Sequence, residues 1–130
     1  MYTKLQLQSA CASRVDFQHG LDYYNNNRID NFTCRKIEDT DAANVVEISA
    51  TVRGTFDDYS ARAVIDEGET GPGTGRIILD TCSCPGSTEK NRICKHCIAL
   101  ILKYIEMRDS GVLDEKDDGS YRQAVRDVPD

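Results

Sequence analysis

The chain has 130 residues, 39% hydrophobic and 29% charged, with a net charge of −6. That describes one small, polar, soluble domain, and no window of about 18 apolar residues exists to cross a membrane. The acidic total argues against strong non-specific nucleic-acid binding, which rests on neutralising phosphates.

The charge is unevenly spread. Residues 1–36 carry +2, 37–70 carry −7, 76–108 carry +3 and 109–130 carry −4. The N-terminal MYTKLQLQSA lacks the apolar core of a signal peptide, so a reducing, cytoplasmic setting is expected for the six cysteines.

In chain order, Leu5 and Leu7 alternate with polar residues and suggest a short edge strand. Phe17, Leu21 and Tyr24 recur at helical spacing, so Ser13 to Asn26 reads as a short amphipathic helix, capped by Ser13 or Asp16 and weakened by Gly20. Ile29, Phe32, Cys34 and Ile37 mark a strand with imperfect alternation. Val46, Ile48, Ala50 and Val52 alternate cleanly, as do Tyr59, Ala61, Ala63 and Ile65, and these two strands should pair as a hairpin. Glu67 to Gly75 is a glycine-rich loop that lacks the GK[ST] of a phosphate cradle. Arg76 to Thr81 reads as a further strand, and Ile98, Ile101, Leu102 and Ile105 as the apolar stripe of a helix from Lys95 to about Met107, closed by Asp109-Ser110-Gly111. Beyond it the polar run Asp114 to Gly119 reads as a linker, and Tyr121, Val125 and Val128 as one more helical turn or a docking segment.

The chemistry concentrates between Cys82 and Leu102. Cys82 and Cys84, then Cys94 and His96, form two tight pairs separated by the nine residues Pro85 to Ile93. On a strand, side chains two apart share a face, so Cys82 and Cys84 can address one point. Cys94 and His96 fall at the start of the following helix, where the amide groups favour a thiolate. Three thiolates and one imidazole complete a tetrahedral shell for Zn²⁺, with bonds of about 2.3 Å to sulfur and about 2.0 Å to nitrogen, and leave no position for water or substrate. The expectation is therefore one structural Zn²⁺ and no enzyme activity. A Cys94–His96 nucleophile would leave Cys82 and Cys84 without a purpose at their spacing.

The pattern CxC, spacer, CxH resembles the SWIM zinc finger. Pro85 after the second cysteine, Lys95 between the last two ligands and the run Ile98-Ala99-Leu100 also resemble that family. Upstream, Phe17-Gln18-His19-Gly20-Leu21-Asp22-Tyr23-Tyr24 followed by Arg28-Ile29 is similar to the lead-in of bacterial SWIM proteins, many of them N-terminal parts of Swi/Snf-type helicases. The resemblance spans roughly Ser13 to Tyr104. The elements read along the chain make an α+β fold: a small antiparallel meander of three or four strands, a zinc-clasped C-terminal helix and a short N-terminal helix. The expected domain covers 1–108, with the N-terminal helix and meander at 13–81 and the finger at 82–108, followed by an acidic linker or tail at 109–130.

The resemblance also implies a nucleic-acid-associated or regulatory role, with DNA, another protein or the helicase motor of the same machine as partner. No GxxxxGK[ST] occurs in this chain, so ATP hydrolysis is not expected of it. Lys90, Arg92, Lys95 and Lys103 form the one basic island available for DNA. The alternative is a protein-interaction module, favoured by the acidic strand region. Neither a membrane nor a small-molecule substrate is expected. Cys97 and Cys34 read as buried packing residues, Cys11 is unassigned, a Cys11–Cys34 disulfide is disfavoured, and His19 reads as a packing or surface residue. Tyr23 is the better placed of the two adjacent tyrosines to stack on a base.

Overall fold

A computed structural model describes residues 1–37, 44–69, 71–85, 92–111, 113–115 and 120–123. The chain runs α1 (Lys4–Ala10), α2 (Arg14–Asn25), β1 (Ile29–Ile37), β2 (Val45–Arg53), β3 (Asp58–Asp66), β4 (Arg76–Cys82), α3 (Lys95–Asp109), β5 (Leu113–Glu115) and β6 (Ser120–Gln123). The strands form one sheet in the order β4-β3-β2-β1-β6-β5, with every pairing antiparallel. The expected α+β meander is present as β1 to β4, and the expected hairpin is β2–β3, with Ile48 opposite Ala63 and Ala50 opposite Ala61.

Alternation in β2 and β3 sorts the two faces. Ile48, Val52, Ala63 and Ile65 are buried, while Glu47 on the opposite face joins Arg35 and Arg62 across three strands. The inner face receives α3, which is buried on nearly every side: Ile98, Ala99, Leu100 and Ile101 are all fully enclosed. A helix apolar all round belongs between layers, and α3 lies between the sheet and α1–α2. Gly20 is what lets α2 come close, since a Cβ there would stand 2.6 Å from Ile98 Cβ.

The far end of α3 is clamped. Arg108 Nη1 donates to both oxygens of Glu67 at 2.9 and 2.8 Å and to Tyr2 O at 2.7 Å, and Tyr104 OH donates to Glu67 at 2.7 Å. The same carboxylate accepts from Tyr2 N at 2.8 Å, so one half-buried acid joins the N-terminus, the β3–β4 loop and the last turns of α3.

Two local expectations are corrected. The N-terminal stretch is a helix, not an edge strand. Thr3 and Gln6 form a reciprocal capping box, and Tyr2 and Leu7, the staple positions on either side of it, are both buried while Leu5 is exposed. Capping chemistry prevails over a two-residue alternation. Tyr121 stands in β6, opposite Cys34 of β1, not in a helical turn; pairing with a strand far back in the chain decides its conformation. Val125 and Val128 lie outside the described residues. The glycine-rich loop is tied to the N-terminus by Gly73 N–H to Met1 O at 3.1 Å and Gln6 Nε2 to Thr74 O at 3.3 Å.

Candidate metal centre

Strand β4 ends on Cys82, and the pairing with β3 continues one step further. Ser83 N donates to Ser60 O at 3.0 Å and Ser60 N donates to Ser83 Oγ at 2.9 Å. The chain bends at Ser83 and Cys84 just past the strand, and the sulfurs of Cys82 and Cys84 come together in the same cluster. Cys94 is the N-cap of α3, its sulfur accepting from Cys97 N at 3.4 Å, a sulfur version of the usual oxygen cap. His96 follows in the first turn and is 3% exposed. The donor atoms of Cys82, Cys84, Cys94 and His96 all lie within 4.8 Å of one another and are buried.

This set fits zinc. A tetrahedral shell with sulfur bonds of about 2.3 Å has sulfur–sulfur edges of about 3.7 Å, so the widest pair has about 1 Å to close. The His96 edge is already there: Nδ1 stands 3.6 Å from Cys82 Sγ, which makes Nδ1 the ligand nitrogen by position. On the same ring Nε2 is buried with no hydrogen-bond partner among the described residues, and a metal bond at Nδ1 would leave that N–H unpaired. The imidazole is fixed by Tyr23, edge-on at 5.1 Å, and by Tyr59, tilted at 4.6 Å between centroids.

The sulfurs share protons. Hydrogen bonds from Cys82 and then Cys97 hold the Cys94 thiol far below the ordinary thiol range. The same bond from the other end, to Cys94, pushes Cys82 up to about 12. Zinc binding would release the protons that remain.

Around the centre, Arg92 grips Asp16 of α2 with two bonds, Nε to Oδ2 at 3.0 Å and Nη2 to Oδ1 at 2.7 Å. Arg92 is therefore engaged in holding the ligand arm to α2, whereas the sequence suggested a nucleic-acid contact. Lys95 is exposed and Lys103 half-buried; Lys90 lies outside the described residues. Lys95 Nζ and Arg28 Cζ each sit 5.7 Å from the Tyr23 ring centre. His19 is exposed, as expected for a surface residue, and Cys97 is fully buried. Cys11 and Cys34 are both unbridged thiols. The structure brings the four expected ligands, Cys82, Cys84, Cys94 and His96, into one cluster; the Asp16–Arg92 pair and the tyrosine box were not expected, since nothing local marks contacts made across the fold.

A closed three-sulfur, one-nitrogen centre joining the end of a strand to the start of a helix defines a structural zinc finger. Residues 64–105, from β3 into α3, match the family model of the SWIM zinc finger, and this part of the chain is a SWIM zinc finger able to bind one zinc ion. No curated protein and no solved structure matches the chain. Among the described residues no helix is long and apolar enough to cross a membrane.

Proposed function

We propose that the chain is a non-catalytic binding module, organised by zinc, that contacts nucleic acid beside the metal centre as part of a larger Swi/Snf-type machine. The observation that carries this reading is the surface around Tyr23. Lys95 and Arg28 flank its ring at a cleft of about 230 Å³ that also takes in His19 and Thr55, and the next residue, Phe56, is 93% exposed. Cations that meet phosphates, interleaved with aromatic faces that stack on bases, are what single-strand binding requires. Asp22 borders the same cleft and the whole chain is acidic, so the affinity is modest and confined to low salt.

A non-catalytic role is supported by the ligand set. His96 and the three cysteines grouped with it would be taken up by the metal, and a shell of four protein donors leaves no open position.

Fluorescence anisotropy with single-stranded and duplex oligonucleotides tests the reading. Binding is expected at low salt. Lys95→Ala and Arg28→Ala should each lower the salt slope by about 0.7–0.9, and Phe56→Ala should weaken binding without changing that slope. No binding to either form at low salt overturns direct contact and leaves the protein-interaction reading. A separate observation favours that second reading: on edge strand β4, Ile78 and Leu79 are 47% and 37% exposed. The acidic strand region supports it less than its composition suggests, because Glu47 and Glu67 are held in internal ion pairs.

A further inference from the structure

A groove of about 940 Å³ runs between α1 and strand β4. Leu5 and Ser9 stand on its helix side, Arg76, Ile77 and Asp80 on its strand side, and Ile93 where the second ligand arm comes in. The groove shares no lining residue with the cleft at Tyr23.

Strand β4 is an edge of the sheet and pairs with β3 alone among the described residues. The phase of that pairing decides which backbone groups stay open. Ser83 N–H donates to Ser60 O, and along an antiparallel ladder such pairs alternate with pairs that exchange no hydrogen bond. Asp80, opposite Ala63, falls on the second kind, so its own N–H and C=O turn to the open edge. Its carboxylate lines the groove and is half-buried. No hydrogen bond or ion pair is made to that carboxylate among the described residues. Arg92 lines the same groove but holds Asp16. Beside Asp80, Ile77 is half-buried and Leu5 is 72% exposed, which offers apolar contact on either side of the charge.

We infer that this groove takes an extended peptide of a partner protein, added as a further strand on β4, with a lysine or arginine opposite Asp80 and apolar residues two places to either side. Main-chain hydrogen bonds to an open edge supply affinity, and alternate side chains supply specificity. The residue opposite Asp80 shares its face, and the positions two places away lie on that face as well. The occupant is a basic segment and not a second copy of this chain. The bulge between Ile77 and Leu79 and the charge of Asp80 are devices that keep an edge from pairing with its like. The net charge of −6 favours a basic partner too. The site gives the protein-interaction reading a place and a chemistry, and it does not depend on nucleic-acid contact at Tyr23.

The test is amide NMR of the zinc-loaded full chain, titrated with the capped heptapeptides TVTKTVT and TVTETVT, which put valine, the central charge and valine on one face. The lysine peptide is expected to saturate, with shifts at the Asp80 amide and along α1, and to bind about fivefold more tightly than the glutamate peptide. Asp80→Lys should reverse that order, and Asp80→Asn should remove the preference with zinc content unchanged. N-methylation at the lysine should abolish binding, while N-methylation at the next threonine should be tolerated, since only alternate amides face the edge. No saturation by the lysine peptide overturns the inference. So do equal affinities for the two peptides in the wild type, shifts confined to other surfaces, or binding indifferent to both methylations. Sedimentation of the free protein is expected to give a monomer; a dimer dispersed by Asp80→Lys would make a second copy the occupant. Oligonucleotide binding by Lys95→Ala and Arg28→Ala reads the Tyr23 cleft separately, so failure at either site leaves the other standing.

Discussion

Asp16 illustrates how one side chain can locate a ligand it never touches. It is 7% exposed, in the first turn of α2, where a negative charge is favoured by the helix amides. Its carboxyl is held below the ordinary carboxylate range, chiefly by the hydrogen bond from Arg92 and against the opposing effect of burial. Arg92 stands two residues before Cys94, so the pair fixes the approach of the second ligand arm to α2. In Arg92→Ala the carboxyl stays buried without its donor and is expected to titrate above its ordinary value of about 3.9, as read by carbon NMR of the Asp16 carboxyl. The sign for stability follows. A depressed folded value stabilises above the unfolded one, so the gap between wild type and variant is full near neutrality and closes as pH falls through the wild-type value. Coincident carboxyl midpoints in the two proteins would show that Arg92 does not govern Asp16.

Among the elements, the crossing of α2 on α3 depends on a residue whose intrinsic effect is unfavourable. Gly20 lowers helix propensity by up to about 1 kcal/mol relative to alanine, so a surface argument would predict that Gly20→Ala stabilises. Ile98 reverses this. The added methyl would stand 2.6 Å from Ile98 Cβ and 3.2 Å from Lys95 O, and Ile98 is fully enclosed. Overpacking costs about 1–3 kcal/mol, so a net loss of about 1 kcal/mol is expected in thermal melts of the zinc-loaded protein; an unchanged or higher midpoint would mean that α2 slides to make room. The same contact shows where sequence stops being informative. Period and caps made α2, the β2–β3 hairpin, β4 and α3 legible, and donor identity at tight spacing made the four ligands legible, because each signal is local. Gly20 facing Ile98, the Asp16–Arg92 pair and Tyr121 beside Cys34 are meetings between distant parts of the chain. The N-terminal helix is a different case: its T-x-x-Q cap is a local signal, and it outweighs the Leu5–Leu7 alternation that reads as a strand.

For the whole molecule, zinc and the apolar core hold the same two elements at different points. The core joins the middle of α3 to β2 and β3 through Ile98, Ile101, Ile48 and Ile65, and the Glu67–Arg108 clamp secures its far end. The metal joins its first turn to the end of β4. Structural zinc is worth about 10–16 kcal/mol in small peptides, comparable to the whole stability of an ordinary domain, about 5–15 kcal/mol. An α3 already enclosed on nearly every side needs only part of that. Chelation should therefore weaken the protein unevenly and not dissolve it. Residues 92–100 and the end of β4 are expected to lose amide protection in hydrogen exchange, while the β2–β3 hairpin keeps most of its own. Loss of about 4 kcal/mol should lower the melting midpoint by about 15 °C for a chain of this size. Cys84→Ser, which removes a donor from the first pair and leaves Cys94 and His96 in place, should move both readouts in the same direction. Equal exchange across helix and hairpin after chelation would mean that zinc governs the entire fold. Unchanged melting on chelation and in Cys84→Ser would mean that the core alone holds α3 in place.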